Sequence, residues 1–363
     1  MIEIIMSFDI EFSIGGAFTD PTKYTPLGKD YVWLTKQGES LGLGYILETL
    51  SKNDLKGVFF VEACNTAYHG PHEMGDISKQ IFSEGHDIQL HTHPAWLHYS
   101  TLDSWPINDS CAGRTLGDLG KLFDHGIETF ENWGLPLPVA IRSGGLRVDE
   151  TYYEALNASA IDCSSSVGMS IFKPASPEFH IYAGAKWIYG KPEIPITTSN
   201  YTIGGKKRPK SLQILSCSLS EMIEVIEQAE AKNISPVVIL SHPFEFVFAE
   251  NFRYAKYIRN NVVRNRFEGL CRYLSENRNR YRVTTFSDWK ENDTFPSVEY
   301  TPTTTKSTTA IRRMIENKLV DTTLKFKLSP HWIGGRSGVP NEPIGSVAPT
   351  PTPIEPAAPP DSQ

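Results

Sequence analysis

The sequence predicts an α/β protein whose parallel strands and helices alternate to form a barrel or a distorted barrel. Short apolar segments rich in β-branched residues recur between Ile2 and Trp289, and helical patterns separate most of them. Residues suited to acid–base chemistry or metal binding stand where several of these segments end. Strands that alternate with helices of this length are typical of parallel βα units. Seven or eight such units favour a barrel over an open sheet.

Eight segments have the composition of buried strands, because they are short, apolar and bounded by turn-forming residues. In chain order they are residues 1–9, 57–63, 86–93, 138–145, a weaker segment that begins at 160, 211–218, 235–243 and 281–289. Six helical patterns lie between them, at residues 41–51, 76–83, 116–133, 149–156, 219–231 and 254–277. Asp149 stands where the cap of the fourth of these helices is expected.

The remaining segments break this alternation. Residues 172–210 form a long excursion, interpreted as a hairpin over the barrel mouth. Its basic run GGKKRPK predicts a solvated loop, and the alternative is a binding site for a phosphorylated or acidic substrate. After Pro296 the composition becomes rich in threonine and proline. We therefore predict a barrel domain at 1–295, a linker with a short helix (310–317) at 296–338, and a disordered tail at 339–363 that has too few apolar residues to fold.

Composition and charge exclude several classes of partner. The 363 residues are 40% hydrophobic and 21% charged, as in an ordinary globular protein, and the net charge of −7 argues against nucleic acid or anionic membranes as partners. The five cysteines form no CxxC pair, which argues against a cysteine zinc site and favours free thiols. The sequence shows no basic leader and no apolar run long enough for a transmembrane segment, so we predict a cytoplasmic protein. It leaves the oligomeric state open.

The stretch IQLHTHPAW contains the clearest candidate metal ligands. His91 and His93 lie two residues apart at the end of an apolar strand. Because alternate residues of a strand point to the same side, both imidazoles can reach one ion. Taken alone, the stretch is equally compatible with two histidines in a surface loop.

Carboxylates with the same spacing follow the first strand. Asp9 and Glu11 stand in SFDIEF, and a carboxylate at the end of a buried strand is costly unless it is paired or binds a cation. Together with the two histidines they form a set of nitrogen and oxygen donors typical of a catalytic zinc-like site with an open position for water.

Two further strand ends carry a guanidinium and an imidazole. Arg142, in IRSGG, needs an anion, and Asp9 is the obvious partner, since such a pair would orient the carboxylate and keep it ionised. His242, in ILSHPFEF, could be a third metal ligand, a proton donor or a core residue. Its charge changes near neutral pH, which suits acid–base work.

The ordered set SFDIE, HTHP, IRSGG and LSHP resembles the polysaccharide deacetylases, the NodB-homology group of carbohydrate esterases, in a divergent subset with an HxHP motif. The resemblance extends from Ile2 to about Trp289. It implies a distorted (β/α)7-type barrel that holds one divalent metal ion, expected to be Zn²⁺. It also implies hydrolysis of an N-acetyl group from an amino-sugar substrate, in the biosynthesis of a surface polysaccharide.

The resemblance also implies roles for individual residues. Asp9 matches the catalytic base, Arg142 the arginine that orients it, and His242 the general acid. His91 matches the first histidine ligand, and Asp162 a supporting acid.

Two departures from the family pattern concern the metal ligands. The family has a second aspartate where this chain has Ile10, so Glu11 is the candidate ligand and Asp9 the alternative. The family's second histidine falls at Ala95, so His93 is the nearest substitute and His98 the next.

Aromatic residues just beyond the ligands, Trp96 and Tyr99, are candidates for stacking on a sugar ring, with a place in the core as the alternative. Two other functions stay open. One is a metal-dependent amidase or deacylase acting on a small molecule or sugar precursor, which a cytoplasmic location would favour. The other is a catalytically silent carbohydrate-binding barrel, which the two departures from the family pattern would explain.

Overall fold

A curled, mostly parallel sheet is the centre of the fold. The computed structural model describes residues 1–17, 20–99, 109–292 and 302–328. The strands of this part of the chain are β1 (Ile2–Ile10), β2 (Thr35–Lys36), β3 (Glu39–Ser40), β4 (Val58–Glu62), β5 (Asp87–Thr92), β6 (Ala140–Ser143), β7 (Cys163–Ser164), β8 (Lys186–Ile188), β9 (Lys191–Glu193), β10 (Thr198–Ile203), β11 (Lys206–Ser211), β12 (Val237–Ser241), β13 (Val247–Ala249), β14 (Tyr257–Arg259), β15 (Tyr281–Val283) and β16 (Thr304–Thr305). The helices are α1 (Lys29–Trp33), α2 (Leu43–Lys52), α3 (Thr66–His69), α4 (His72–Ser83), α5 (Ala95–Tyr99), α6 (Leu116–Trp133), α7 (Glu150–Ala158), α8 (Leu219–Ala231), α9 (Asn261–Glu276), α10 (Phe286–Asn292) and α11 (Ser307–Leu328).

The main sheet has the strand order β12-β1-β4-β5-β6-β7-β9-β8, and β15 also pairs with β1. Its pairs are parallel except β8 with β9. The amide N–H of Thr197 donates to the carbonyl of Val238, and that of Ile214 donates to Leu240, both at 3.1 Å. These bonds connect the segments after β9 and β11 to β12, so the sheet curls back on itself. The predicted fold class, a distorted (β/α)7-type barrel, is confirmed.

The apolar strands and amphipathic helices pack as the sequence patterns predict. β1 and β4 are buried along almost their whole length, as expected for parallel strands covered on both faces. Helix α2 buries Leu43, Ile46, Leu47 and Leu50, which share one helical face at the spacing i, i+3, i+4 and i+7. The side chain of Asp149 accepts the amide of Tyr152 at 3.1 Å, so the predicted helix cap is confirmed.

Two predicted elements are corrected by the structure. In the segment 211–218, the pairing with β12 is a single bridge between Gln213 and Leu240, because the chain turns at once and Ser218 caps α8. The helix predicted to begin at Tyr254 begins instead at Asn261, where the side chain of Asn260 accepts the amide of Val263. The preceding residues form the antiparallel hairpin of β13 and β14.

The long excursion contains the hairpin of β10 and β11, with Gly204 and Gly205 in the turn at φ +58° and +73°. The basic run therefore forms the turn and an exposed strand, while a position over the barrel mouth stays a prediction. Strand β16 adds to this hairpin, and α11 packs beside it through Arg313, whose guanidinium binds the carboxylate of Glu221 at 2.6 Å.

Other general features can be read from the described residues. All five cysteines are free thiols in the structure, and all five are buried. No helix in the described ranges is both long and apolar enough to cross a membrane. The predicted tail at 339–363 lies outside the described residues.

Candidate metal centre and active site

Six reactive side chains predicted from the sequence come from neighbouring strands and meet at one edge of the barrel. Because β12, β1, β4, β5 and β6 are adjacent and parallel, their carboxyl ends lie side by side. The six residues stand at or just after the ends of four of these strands: Asp9 and Glu11 (β1), His91 and His93 (β5), Arg142 (β6) and His242 (β12). They form two adjoining groups.

The first group is Glu11, His91 and His93. The Oε2 atom of Glu11 lies 2.8 Å from Nε2 of His93 and 3.4 Å from Nε2 of His91. The three potential ligand atoms all lie within 4.8 Å of one another. Two imidazole nitrogens and one carboxylate oxygen are the donor set of many catalytic zinc sites, which leaves room for a water or substrate ligand.

The second ring nitrogen of each histidine is held by another group. Nδ1 of His91 donates to the carbonyl oxygen of Arg142 at 3.0 Å, and Nδ1 of His93 lies 2.6 Å from Oδ2 of Asp109. Such partners fix the ring orientation and leave Nε2 free for a metal, as in carboxylate–histidine–zinc arrangements. The residues present therefore fit a divalent cation, and Asp109 is a supporting residue that sequence reasoning missed.

The ionisation of this group also suits a cation. Burial raises the pKa of the Glu11 carboxyl, but hydrogen bonds from His91 and His93 outweigh it and hold that pKa well below its usual range. Burial lowers the pKa of His93, but Asp109 and Glu11 raise it well above its usual range. The pocket thus favours positive charge, and a divalent cation would take the place of the His93 proton.

Gly144 lies directly against the His93 ring. A Cβ atom added at Gly144 would lie 2.5 Å from Cε1 and Nδ1 of His93. Gly144→Ala is therefore expected to displace the imidazole and to weaken metal binding by about 10- to 100-fold, the range seen when support of a ligand is lost. Gly145→Ala is the matched control, since its Cβ would meet no atom closer than 3.6 Å and only its φ of +62° is unfavourable. Equal zinc affinities of the two variants by calorimetric titration would contradict this account.

The second group begins with a buried ion pair. Nη1 of Arg142 lies 2.6 Å from Oδ1 of Asp9, and both side chains are almost completely buried. The guanidinium also donates to Ser7 Oγ and to the hydroxyl and carbonyl oxygens of Ser165, at 3.0–3.1 Å, and it lies over the ring of Phe60. These contacts hold Asp9 in one orientation, with its other oxygen free of Arg142.

His242 faces that other oxygen. Its Nε2 lies 3.7 Å from Oδ2 of Asp9, and its Nδ1 lies 2.9 Å from Oε1 of Glu245. The second oxygen of Glu245 accepts the hydroxyl of Ser241 at 2.7 Å, and the imidazole stacks on Phe244 with 4.9 Å between ring centroids. Burial lowers the pKa of His242, but Glu245 outweighs it and raises that pKa to about 9. The imidazole is therefore protonated at neutral pH and can act as an acid.

Sequence reasoning missed Glu245, although the stretch SHPFEF places it three residues after His242. Glu245→Gln should lower the pKa of His242, because the carboxylate that favours the protonated ring is lost. A general acid fails as pH rises through its pKa, so the basic limb of kcat/KM should move to lower pH by about one unit or more. A cation bound at the site shifts the pKa of His242 in the same direction in the wild type and in Glu245→Gln, so the quantity to compare is the difference between their two basic limbs. An unchanged basic limb would show that Glu245 does not set the acidity of His242.

Of the four other predicted residues, the structure describes the side chains of two, Asp162 and Trp96. Asp162 does not join the cluster, which corrects the role implied by the family resemblance: it precedes β7, at the opposite end of the strands, and pairs with Lys290 at 2.9 Å. Trp96 is 1% exposed and packs against His69, so its ring is part of the core. The side chains of His98 and Tyr99 lie outside the described part of the structure.

Comparison with known proteins gives a structural likeness. No protein-family model matches the sequence, and no curated protein matches it. Among solved structures, a protein from Mycobacterium smegmatis assigned as a polysaccharide deacetylase is similar with 16% identity and a TM-score of 0.45, over 83% of this chain and 94% of that chain. The structural likeness is to polysaccharide deacetylases and family 4 carbohydrate esterases. The sequence motifs resemble the same family.

Two further similar structures illustrate the range of these proteins. A family 4 acetyl xylan esterase from Clostridium thermocellum, in complex with a cobalt ion, shares 12% identity over 80% of this chain and 92% of that chain, with a TM-score of 0.39. A pseudoenzyme of carbohydrate esterase family 4 shares 11% identity over 79% of this chain and 66% of that chain, also with a TM-score of 0.39.

Proposed function

We propose that this protein is a metal-dependent hydrolase that removes an N-acetyl group from an amino-sugar substrate, with Zn²⁺ as the metal. One observation supports this most strongly: a cluster of metal-ligand type adjoins a carboxylate held between a guanidinium and a protonated imidazole. Asp9 stands 2.6 Å from Arg142 and 3.7 Å from His242, and Glu11 two residues later belongs to the cluster. Metal-assisted amide hydrolysis uses these parts together: a base for water, an acid for the amine and a cation.

Glu11, His91 and His93 would hold the ion. A divalent ion bound there supplies Lewis acidity toward water and the acyl carbonyl group. In this assignment Glu11 replaces the family's second aspartate, and His93 its second histidine. Asp9 then serves as the base, since Arg142 already engages its Oδ1.

The proton transfers follow from the side chains of the second group. Asp9 accepts a proton from the attacking water through Oδ2, while Arg142 keeps the carboxylate in place. His242 gives its Nε2 proton to the departing nitrogen, since its Nδ1 is engaged by Glu245. The C–N bond breaks, the water oxygen stays on the acyl carbon, and the products are acetate and the free amino sugar.

The two alternative functions differ from the proposal in what they predict. An amidase acting on a small molecule would use the same residues on another amide. A silent carbohydrate-binding barrel would have no use for an acid–base pair, yet Asp9, Arg142 and His242 are all present and in contact. This arrangement favours catalysis over the silent barrel.

Acetate release tests the proposal. The zinc-loaded protein of 363 residues is incubated with N-acetylglucosamine oligomers, N-acetylated nucleotide sugars and small N-acyl amides, with Asp9→Asn as the blank. Release from the sugars above that blank is the expected result. Release from the small amides alone would support the amidase. Sugar binding without any release, in protein shown to contain zinc, would support the silent barrel.

A further inference from the structure

The rim of the metal centre on the His93 side carries an arginine that the proposed mechanism does not use. Gly144 lies against the His93 ring, and Gly145 follows it at an exposed position. Arg147 folds back over Gly145, since a Cβ atom added there would lie 3.6 Å from Nε of Arg147. The side chain of Arg147 is thus separated from the His93 ring by only two glycines.

A second path of contacts places Arg147 beside the same ligand. Its carbonyl oxygen accepts the amide N–H of Ala112 at 3.1 Å. Ala112 lies three residues after Asp109, which holds Nδ1 of His93. The loop that supports the ligand and the loop that carries Arg147 are therefore bonded together at this rim.

Among the residues that the structure describes, none is an acidic partner of the Arg147 guanidinium. Within the described part of the chain, its side chain makes no hydrogen bond and no ion pair, and its remaining contact is a cation–π interaction with Phe172. The guanidinium carbon lies 5.4 Å from the centroid of that ring. Arg142, within β6, and Arg253, in the turn between β13 and β14, are in contrast bound to protein oxygens.

This geometry leaves the edge of the guanidinium available. Phe172 lies on the loop after β7, so the pair joins the loops after β6 and β7 at the face where the strands end. A guanidinium whose face is covered by an aromatic ring still presents its in-plane N–H groups, which match the two oxygens of a carboxylate or phosphate. The metal ligands and Asp109 offer no such cationic edge to a substrate.

We propose that Arg147, supported by Phe172, binds an anionic substituent of the substrate. This inference rests on the proposed function and narrows its substrate class to N-acetylated amino sugars that carry a carboxylate or a phosphate near the acetamido group. Charge pairing at the rim would place the acetamido group over the metal centre. The protein has a net charge of −7, which repels an anionic substrate, so the positive charge of Arg147 would be needed near the site for such a substrate to bind.

The test compares three sugars: N-acetylglucosamine, N-acetylmuramic acid, which adds a carboxylate at C3, and N-acetylglucosamine 1-phosphate, which adds a phosphate at C1, so that both anionic groups stand next to the C2 acetamido group. Each is measured with the zinc-loaded wild type, Arg147→Gln, Arg147→Lys, Phe172→Leu and the surface control Lys121→Gln, for kcat/KM and for affinity by calorimetry. Arg147→Gln should lower both quantities about 10- to 100-fold for an anionic sugar and less than about twofold for the neutral one. Arg147→Lys should lose less, and Lys121→Gln should behave as the wild type.

Measuring both hydrolysis and binding distinguishes a failure of the anion subsite from a failure of the proposed function. A preference for the carboxylate or for the phosphate identifies the natural substituent. An equal effect of Arg147→Gln on all three sugars, or none, would overturn the subsite. If the zinc-loaded wild type hydrolyses none of them, the proposed function is in doubt, but the calorimetric comparison still decides the subsite: loss of anion affinity in Arg147→Gln supports it, and unchanged affinity overturns it.

Discussion

Replacing Asp9 with asparagine is expected to abolish most of the activity and also to destabilise the fold. The variant loses the proposed base, and loss of general base catalysis lowers kcat by about 100- to 10,000-fold. It also leaves Arg142, which is completely buried, without its counter-ion. Removing one partner of a buried ion pair costs about 3 to 5 kcal/mol, because the other charge stays desolvated. Acetate release and urea denaturation measure the two effects.

Asp162→Asn is the matched control. It removes the same charge from an ion pair with Lys290, but that pair is partly exposed and lies at the other end of the strands. Partly exposed pairs contribute about 1 kcal/mol or less. We expect near-normal activity and stability. If the two variants lost the same activity, the catalytic placement of Asp9 would be wrong and the role that the family resemblance gave Asp162 would return.

The second large effect concerns the metal. His91→Ala and His93→Ala each remove one of three proposed ligands, so the metal content of purified protein should fall from about one equivalent by roughly tenfold or more. Since Lewis acidity supplies several kcal/mol of transition-state stabilisation, kcat/KM should fall by about 1,000-fold or more. Elemental analysis gives the metal content, and thermal unfolding with and without added Zn²⁺ gives an independent measure of binding.

His72→Ala controls for nonspecific binding by histidine, because His72 is exposed on α4, outside the cluster. It should retain the full metal content and the zinc-dependent rise in melting temperature. A full equivalent of metal in both ligand variants would place the ion elsewhere. Loss of metal from the His91 variant alone would make His93 a supporting residue and leave His98 as the candidate for the second histidine.

Much of the site could be predicted because the spacing of two residues along a strand determines whether their side chains point to the same side. His91 and His93 stand two apart and reach one point, and the ends of adjacent parallel strands brought Glu11 to them. Asp109 and Glu245 could not be predicted from spacing, because a loop carboxylate becomes a histidine partner only through the fold of its loop. Asp162 failed for a related reason: β7 has only two residues, so its sequence did not show which end of the strand the carboxylate occupies.

The fold was predictable where hydrophobic patterns are long. The buried strands β1, β4, β5 and β12 and the helices between them follow from local periodicity. β9 did not, since its three residues, Lys191–Glu193, read as a polar loop and become a strand only by pairing with β8 and with Ser164. Pairing across long sequence distances leaves no local signal, which is also why the segment 211–218 was mistaken for a full strand.

The ion pair between Arg313 and Glu221 bears on how much of the chain is needed to make a stable barrel. Glu221 is completely buried in α8, and its partner comes from α11, beyond the last strand of the main sheet. A shortened chain that stops before residue 302 would keep the strands of the barrel. It would leave this buried carboxylate without its partner, and it would expose the edge of β10 that β16 now covers. Shortened versions for crystallisation should therefore retain the sequence at least as far as Arg313.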